Sequence, residues 1–100
     1  MSTYILVTKL SSESLGNLDG IEENGTKWKR TIEEKCPEVR FICHYSILGP
    51  YDFLSIFEAP NEQVASKVSL ISMSFGAQKA ESWIAIPYHD FIMQIRDLTE

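Results

Sequence analysis

Hydrophobic positions along this chain switch between a period of two and a helical period, and the switches mark out its elements. Tyr4-Ile5-Leu6-Val7-Thr8-Lys9-Leu10 is rich in aromatic and β-branched residues and predicts a strand. Both faces of that run are largely apolar, as in a central strand covered on two sides. From Ser11 to Gly20 the pattern lapses into Ser, Asn, Asp and Gly. It reads as a loop with room for one helical turn capped by Ser12, with Leu15 and Leu18 as anchors. Ile21, Trp28 and Ile32 then recur at spacings of seven and four, which keep one face of a helix over Ile21–Lys35, with Gly25 tolerated inside it. The other face carries Glu22, Glu23, Lys27, Lys29, Arg30, Glu33 and Glu34 and is solvated. Cys36-Pro37 ends the helix, because proline disfavours α geometry at the residue before it.

Val39 to Leu48 predicts a long strand in plain alternation. Val39, Phe41, Cys43, Tyr45 and Ile47 fall on one face, and Arg40, Ile42, His44, Ser46 and Leu48 on the other. The stretch Ser46 to Pro60 reads as a hairpin with its turn at Leu48–Tyr51, where Pro50 fixes one φ and Gly49 permits an unusual one. Asp52–Ala59 returns as the third strand, with Phe53, Ser55 and Phe57 opposite Leu54, Ile56 and Glu58. Asn61 can cap the next helix by accepting from a backbone N–H one turn in. Val64, Val68, Ile71 and Phe75 follow as its buried stripe, and Gly76 stands where a left-handed C-terminal cap would sit. Gln78–Ile86 is the fourth strand, with Trp83 on one face and Ile84 and Ile86 on the other. After Pro87, the spacing of Phe91, Ile95 and Leu98 predicts a short C-terminal helix, packed at a sheet edge or on a partner.

The order β-α-β-β-α-β is the split βαβ arrangement of an α+β, ferredoxin-like fold. It implies a four-stranded antiparallel sheet with two helices on one face, plus the short C-terminal helix, as one domain over residues 1–100. The second face raises a difficulty. Tyr4 and Leu6 alternate with Ile5 and Val7, and Phe53 and Phe57 with Leu54 and Ile56, so neither side of the sheet is polar. Leaving each large side chain in water forgoes roughly 1.5–3 kcal/mol. A sheet face of this size exceeds the apolar patch a monomer usually exposes. The expected partner is therefore the chain itself, as a homodimer or higher homo-oligomer.

Composition narrows the remaining classes. The net charge of −5 and the scattered lysines and arginines argue against nucleic acid and against an anionic membrane surface. No basic leader and no membrane-length apolar run is present, so cytoplasmic residence is expected. Cys36 and Cys43 match no zinc or redox spacing and are expected to stay reduced.

Leu48-Gly49-Pro50-Tyr51-Asp52, followed by an apolar strand into Glu58-Ala59-Pro60 and an acidic helix start, resembles the GYD domain family. The family takes its name from a Gly, a Tyr and an Asp, here Gly49, Tyr51 and Asp52. The similarity runs from the first strand through Asn17 and the Trp28 helix to Tyr88–Phe91. It implies a small ferredoxin-like domain of the kind that pairs into dimeric α/β barrels, and it implies a fold rather than an activity. Pro50 within the motif and the extension beyond Phe91 depart from the family pattern.

The candidate ligand-binding residues are His44, Tyr51 and Asp52, with Gly49 and Pro50 as the structural turn. Tyr51 and Asp52 follow the turn, where a strand end can present a hydroxyl and a carboxylate to a cleft. The structural reading has Asp52 accepting from turn amides and Tyr51 closing the core edge. His44 is the one imidazole inside a predicted strand. On an inner sheet face it could serve as a base, a haem ligand or a metal ligand, against the simpler reading of a histidine bonded to a neighbouring side chain. No metal-ligand set, phosphate-binding glycine loop or Ser-His-Asp set can be read from the chain, and the sequence leaves any cofactor unknown. Two functions follow: a ligand-binding, sensor or assembly module, and a small-molecule enzyme of the barrel monooxygenase type with a pocket beside the 46–58 hairpin.

Overall fold

The computed structural model describes residues 1–100. The chain runs β1 Ser2–Leu10, a helical turn α1 Ser12–Leu15, a 3-10 turn Leu18–Gly20, α2 Ile21–Lys35, β2 Arg40–Ser46, β3 Phe53–Ala59, α3 Glu62–Ser74, β4 Ala77–Ala85 and α4 Tyr88–Thr99. The strands make one sheet in the order β2-β3-β1-β4, antiparallel at every pairing. This is the ferredoxin-like α+β arrangement, with β1 central as its two apolar faces required. The helical turn α1 is capped by the Ser11 hydroxyl, which accepts from Ser14 N–H at 3.1 Å. Ser11, one residue earlier than the alternation suggested, is the cap because its backbone is extended while Ser12 is already helical.

The core lies between the sheet and α2 and α3. Tyr4 and Leu6 of β1 and Phe57 and Ala59 of β3 meet Ile32 and Cys36 from α2 and its cap, and Val64, Ala65 and Val68 from α3. Tyr4 and Phe57 stack across the β1–β3 pairing with centroids 5.4 Å apart. α3 begins where Asn61 Oδ1 accepts from Val64 N–H at 3.0 Å, and closes at Gly76, whose φ of +96° is left-handed. Two polar groups inside this layer are satisfied. Ser72 Oγ accepts from Trp28 Nε1 at 2.9 Å and donates to the Val68 carbonyl at 2.8 Å, tying α2 to α3. Gly25 sits mid-helix in α2, at a cost of about 1 kcal/mol relative to alanine.

The plain alternation expected along β2 breaks. Phe41 pairs with Phe57, but Cys43 pairs with Ile56, so Ile42 is an extra residue with no partner. Everything beyond this bulge turns over by one face. His44, expected opposite Phe41, joins it on the helix-covered side, and both rings lie against Trp28 at 5.4–5.5 Å. β2 is an edge strand, where a bulge disturbs one ladder instead of two.

The face without helices is apolar across its middle. Pairing places Cys43, Ile56, Ile5 and Trp83 in one row across all four strands, and Tyr45, Leu54 and Val7 in the next. Polar rows bound the band, with Arg40 3.8 Å from Glu58 at one end and Lys9 and Lys79 at the other. Beyond Pro87, α4 leaves the body. It buries no residue, and Tyr88, Phe91, Ile95 and Leu98 form an exposed stripe along it. The molecule measures 56 × 30 × 18 Å, elongated by this arm.

Two substitutions check the frame. Val68 is wholly buried against the sheet, so Val68→Asp places a lone carboxylate in the core and the variant fails to fold. A variant melting within a few degrees of the parent would contradict the facing of α3. Gly49 has φ +150°, and a Cβ there would meet no atom within 4 Å, so any cost of a side chain is backbone strain. Gly49→Val should destabilise by about 1 kcal/mol or more, lowering Tm by roughly 4–8 °C; an unchanged Tm would contradict this.

Candidate functional site

The hairpin tip is locked to the rest of the sheet by the two polar residues that follow its turn. Asp52 donates its N–H to the Thr8 carbonyl at 2.8 Å, and its Oδ2 accepts from Leu10 N–H at 2.7 Å. Its own carbonyl accepts from Ile47 N–H at 2.9 Å. The carboxylate thus serves a backbone group 42 residues away, at the end of β1, instead of an amide of its own turn. Tyr51 reaches further. Its hydroxyl donates to Glu81 Oε2 on β4 at 2.9 Å, and its ring meets the Trp83 ring edge-on at 6.1 Å.

Glu81 collects three donors. Trp83 Nε1 donates to Oε1 at 2.9 Å, Tyr51 to Oε2, and Lys79 Nζ lies 3.2 Å from Oε2. The hydrogen bond from Trp83 first, then those from Tyr51 and Lys79, hold its carboxyl below the usual carboxylate range. Lys79 is held above its ordinary value, chiefly by the hydrogen bond to Glu81. Glu81 pairs with Val7, so this cluster occupies the uncovered face, at the margin of the apolar band.

His44 lies on the other side of the sheet. Its Nδ1 bonds Ser55 Oγ, and its ring stacks on Phe53 with centroids 5.4 Å apart, while Trp28 covers it from α2. Burial first, and the Lys29 charge second, push its pKa below the ordinary value and favour the neutral imidazole. The Ser55–His44 contact is not a nucleophile pair. Ser55 is 1 % exposed, so no substrate carbonyl can reach its hydroxyl. The buried Cys36 thiol is pushed up by burial and by Glu38, and therefore stays protonated. Both cysteines are unpaired, and no group of three His, Cys, Asp or Glu side chains comes together to hold a metal ion.

The sheet therefore separates Tyr51 from His44 among the three candidate residues. His44 instead shares a cleft of about 580 Å³ with Trp28, Phe53, Asn17 and Asn24, under the N-terminal half of α2. Asn24 donates from Nδ2 to the Phe75 carbonyl at 2.7 Å, which leaves its Oδ1 available as an acceptor. Sequence reasoning missed Glu81, Asn24 and the cleft itself. Glu81 pairs with Val7 only through the observed register, and its link to Tyr51 crosses 30 residues and leaves no local signal. The cleft depends on the β2 bulge, which no turn residue announces.

A relative from Thermus thermophilus, named glutamine synthetase and cystathionine beta-lyase binding protein, is 28% identical over 96 residues, covering 96% of this chain and 100% of the relative. No solved structure matches the chain with significance. A family model described as GYD domain matches residues 4–95. The match reaches Ile95, so the first four residues beyond Phe91, where the chain was expected to depart from the family pattern, fall within it. Gly49 with its positive φ, Tyr51 on Glu81 and Asp52 on the end of β1 give the motif's three residues their structural roles, and the chain belongs to the GYD domain family.

Proposed function

We propose that this chain is a protein-binding assembly module of the cytoplasm that works as a homodimer, with the uncovered sheet faces of two copies packed together. The observation that carries the reading is the part-exposed apolar band Cys43–Ile56–Ile5–Trp83 with Tyr45 and Leu54 beside it, around a Val7 already buried within the chain, bounded by charged rows. An apolar centre with a polar rim is the anatomy of a protein interface. A two-fold pairing buries the same band on both copies at once. The exposed Tyr88–Phe91–Ile95–Leu98 stripe of α4, on about 18 Å of helix that packs on nothing in its own chain, is a second apolar surface for a second copy to cover.

The relative's name supports a protein as the further partner. By that reading the dimer binds other proteins, metabolic enzymes such as glutamine synthetase or cystathionine beta-lyase among them. The alternative of a barrel-type enzyme at the hairpin draws less support. Tyr51 and Asp52 spend their polar atoms on Glu81 and on the backbone of β1, and the sheet lies between Tyr51 and His44.

Light scattering on the purified protein should return twice the 11.4 kDa chain mass at micromolar concentration. Ile56→Lys, in the middle of the band, should give a folded monomer with its far-UV circular dichroism intact. A parent that remains monomeric, or an Ile56→Lys variant that remains dimeric, would overturn the sheet-face dimer. The partner half is checked by co-elution with purified glutamine synthetase and cystathionine beta-lyase from the source organism. Co-elution with at least one is expected, and separate elution from both would overturn it.

A further inference from the structure

The inward stripe of α2 has a gap. Ile21, Trp28 and Ile32 mark the side of the helix that faces the sheet, and residue 25 stands on that same stripe, four after Ile21 and three before Trp28. A helix packed on a sheet carries a side chain at such a position. Here it is glycine, and a Cβ built on Gly25 would meet nothing within 4 Å. The helix forgoes both packing and intrinsic propensity at this point, and what results is the cleft. A second glycine shapes the same space. A Cβ at Gly20 would come within 2.9 Å of the Asn17 side-chain nitrogen, so Gly20 makes room for an amide that lines the same cleft.

The walls define what would fit. Trp28, His44 and Phe53 follow one another at centroid distances of 5.5 and 5.4 Å, tilted by 31° and 23°, and form a continuous aromatic wall. Hydrogen-bonding groups stand at intervals around it, including the free Oδ1 of Asn24 and the amide of Asn17. The charged residues in the lining are Glu13 and Glu22, and no lysine or arginine is among them. The three rings lie against one another, so such a surface packs a flat ring against aromatic edges, accepts hydrogen bonds from it and repels an anion. Lys29, outside the lining, is the cation that bears on His44.

We propose that the cleft between α2 and the helix-covered sheet face binds a flat heteroaromatic molecule that is uncharged or cationic. The site lies on the face opposite the apolar band, so a ligand there leaves the dimer surface free. Its occupancy would be felt by α2 and by the Phe75–Ala77 corner, both of which line it. This gives an assembly module an input separate from its interface.

Nitrogen-labelled full-length protein offers a direct test, because its two indole N–H signals report opposite faces. Trp28 belongs to the cleft and Trp83 to the uncovered face. The probes are tryptamine, tryptophol and indole-3-acetate, which share a ring and differ in charge. Tryptamine and tryptophol should shift the Trp28 indole and the Asn24 side-chain amide in a saturable way below about 1 mM, leaving Trp83 in place. Indole-3-acetate should bind about tenfold more weakly or worse. Gly25→Met, which fills the gap with a good helix former, should weaken tryptamine binding by about tenfold or more without lowering Tm. Equal binding to Gly25→Met, shifts centred on Trp83, or no saturable response to tryptamine and tryptophol would overturn the proposal. If Gly25→Met fails to fold, the parent decides alone, and indole-3-acetate binding as tightly as tryptamine would overturn it.

Discussion

The constraint on which the rest depends is a sheet that is apolar on both sides in a chain that supplies helices for only one. α2 and α3 cover Tyr4, Leu6 and Phe57, and the backbone connections leave no further element to lie over Ile5, Ile56 and Trp83. α4 does not solve the problem within its own chain, since it buries none of its residues and points away from the body. A sheet with this composition has two outcomes, association or exposure of the band to water, and the hydrophobic term favours the first. The two-fold arrangement proposed above rests on that imbalance, and the exposed stripe of α4 is a second apolar surface that the same proposal would cover.

Rigidity of the hairpin end is what makes the uncovered face usable as a surface. Gly49 allows the reversal, Asp52 ties the strand that follows to the end of β1, and Tyr51 spans to Glu81 on β4. These links join β3's start to β1 and β4, so the tip cannot splay from the sheet. Glu81 is in turn held by Trp83 and Lys79, which sets the indole's position at the edge of the band. On the other side, the β2 bulge delivers His44 onto buried Ser55 and against Trp28, completing a wall that plain alternation would have left without its central ring.

The sequence made the frame legible because its signals were local or strictly periodic. The four strands, the two long helices, the Asn61 cap and the Gly76 terminus can all be read from residues within a turn or two of one another, and the structure has them at those places. The double-sided apolarity of β1 and β3 was equally visible. What could not be read is whatever depends on register. The slip at Ile42 turns His44 from one face to the other, and a strand's side-chain period of two makes that a complete reversal rather than a small error. Tyr51 and Asp52 stood out as polar groups near a turn, but their partners Glu81 and Leu10 lie on other strands. Gly25 was visible as a tolerated glycine; that it leaves a cleft required knowing what faced it.

Cys43 and Cys36 offer an internal comparison that addresses the uncovered face itself. Cys43 stands in the middle row of the band, part-exposed in one copy, whereas Cys36 is fully buried in the core on the other side. The decisive measurement is the rate of maleimide labelling at each thiol across a dilution series from micromolar to nanomolar protein. If two copies pair through this face, Cys43 is protected nearly as well as Cys36 at the high end and becomes rapidly reactive on dilution, while Cys36 stays slow throughout. A Cys43 that labels at one fast rate at every concentration would contradict the pairing.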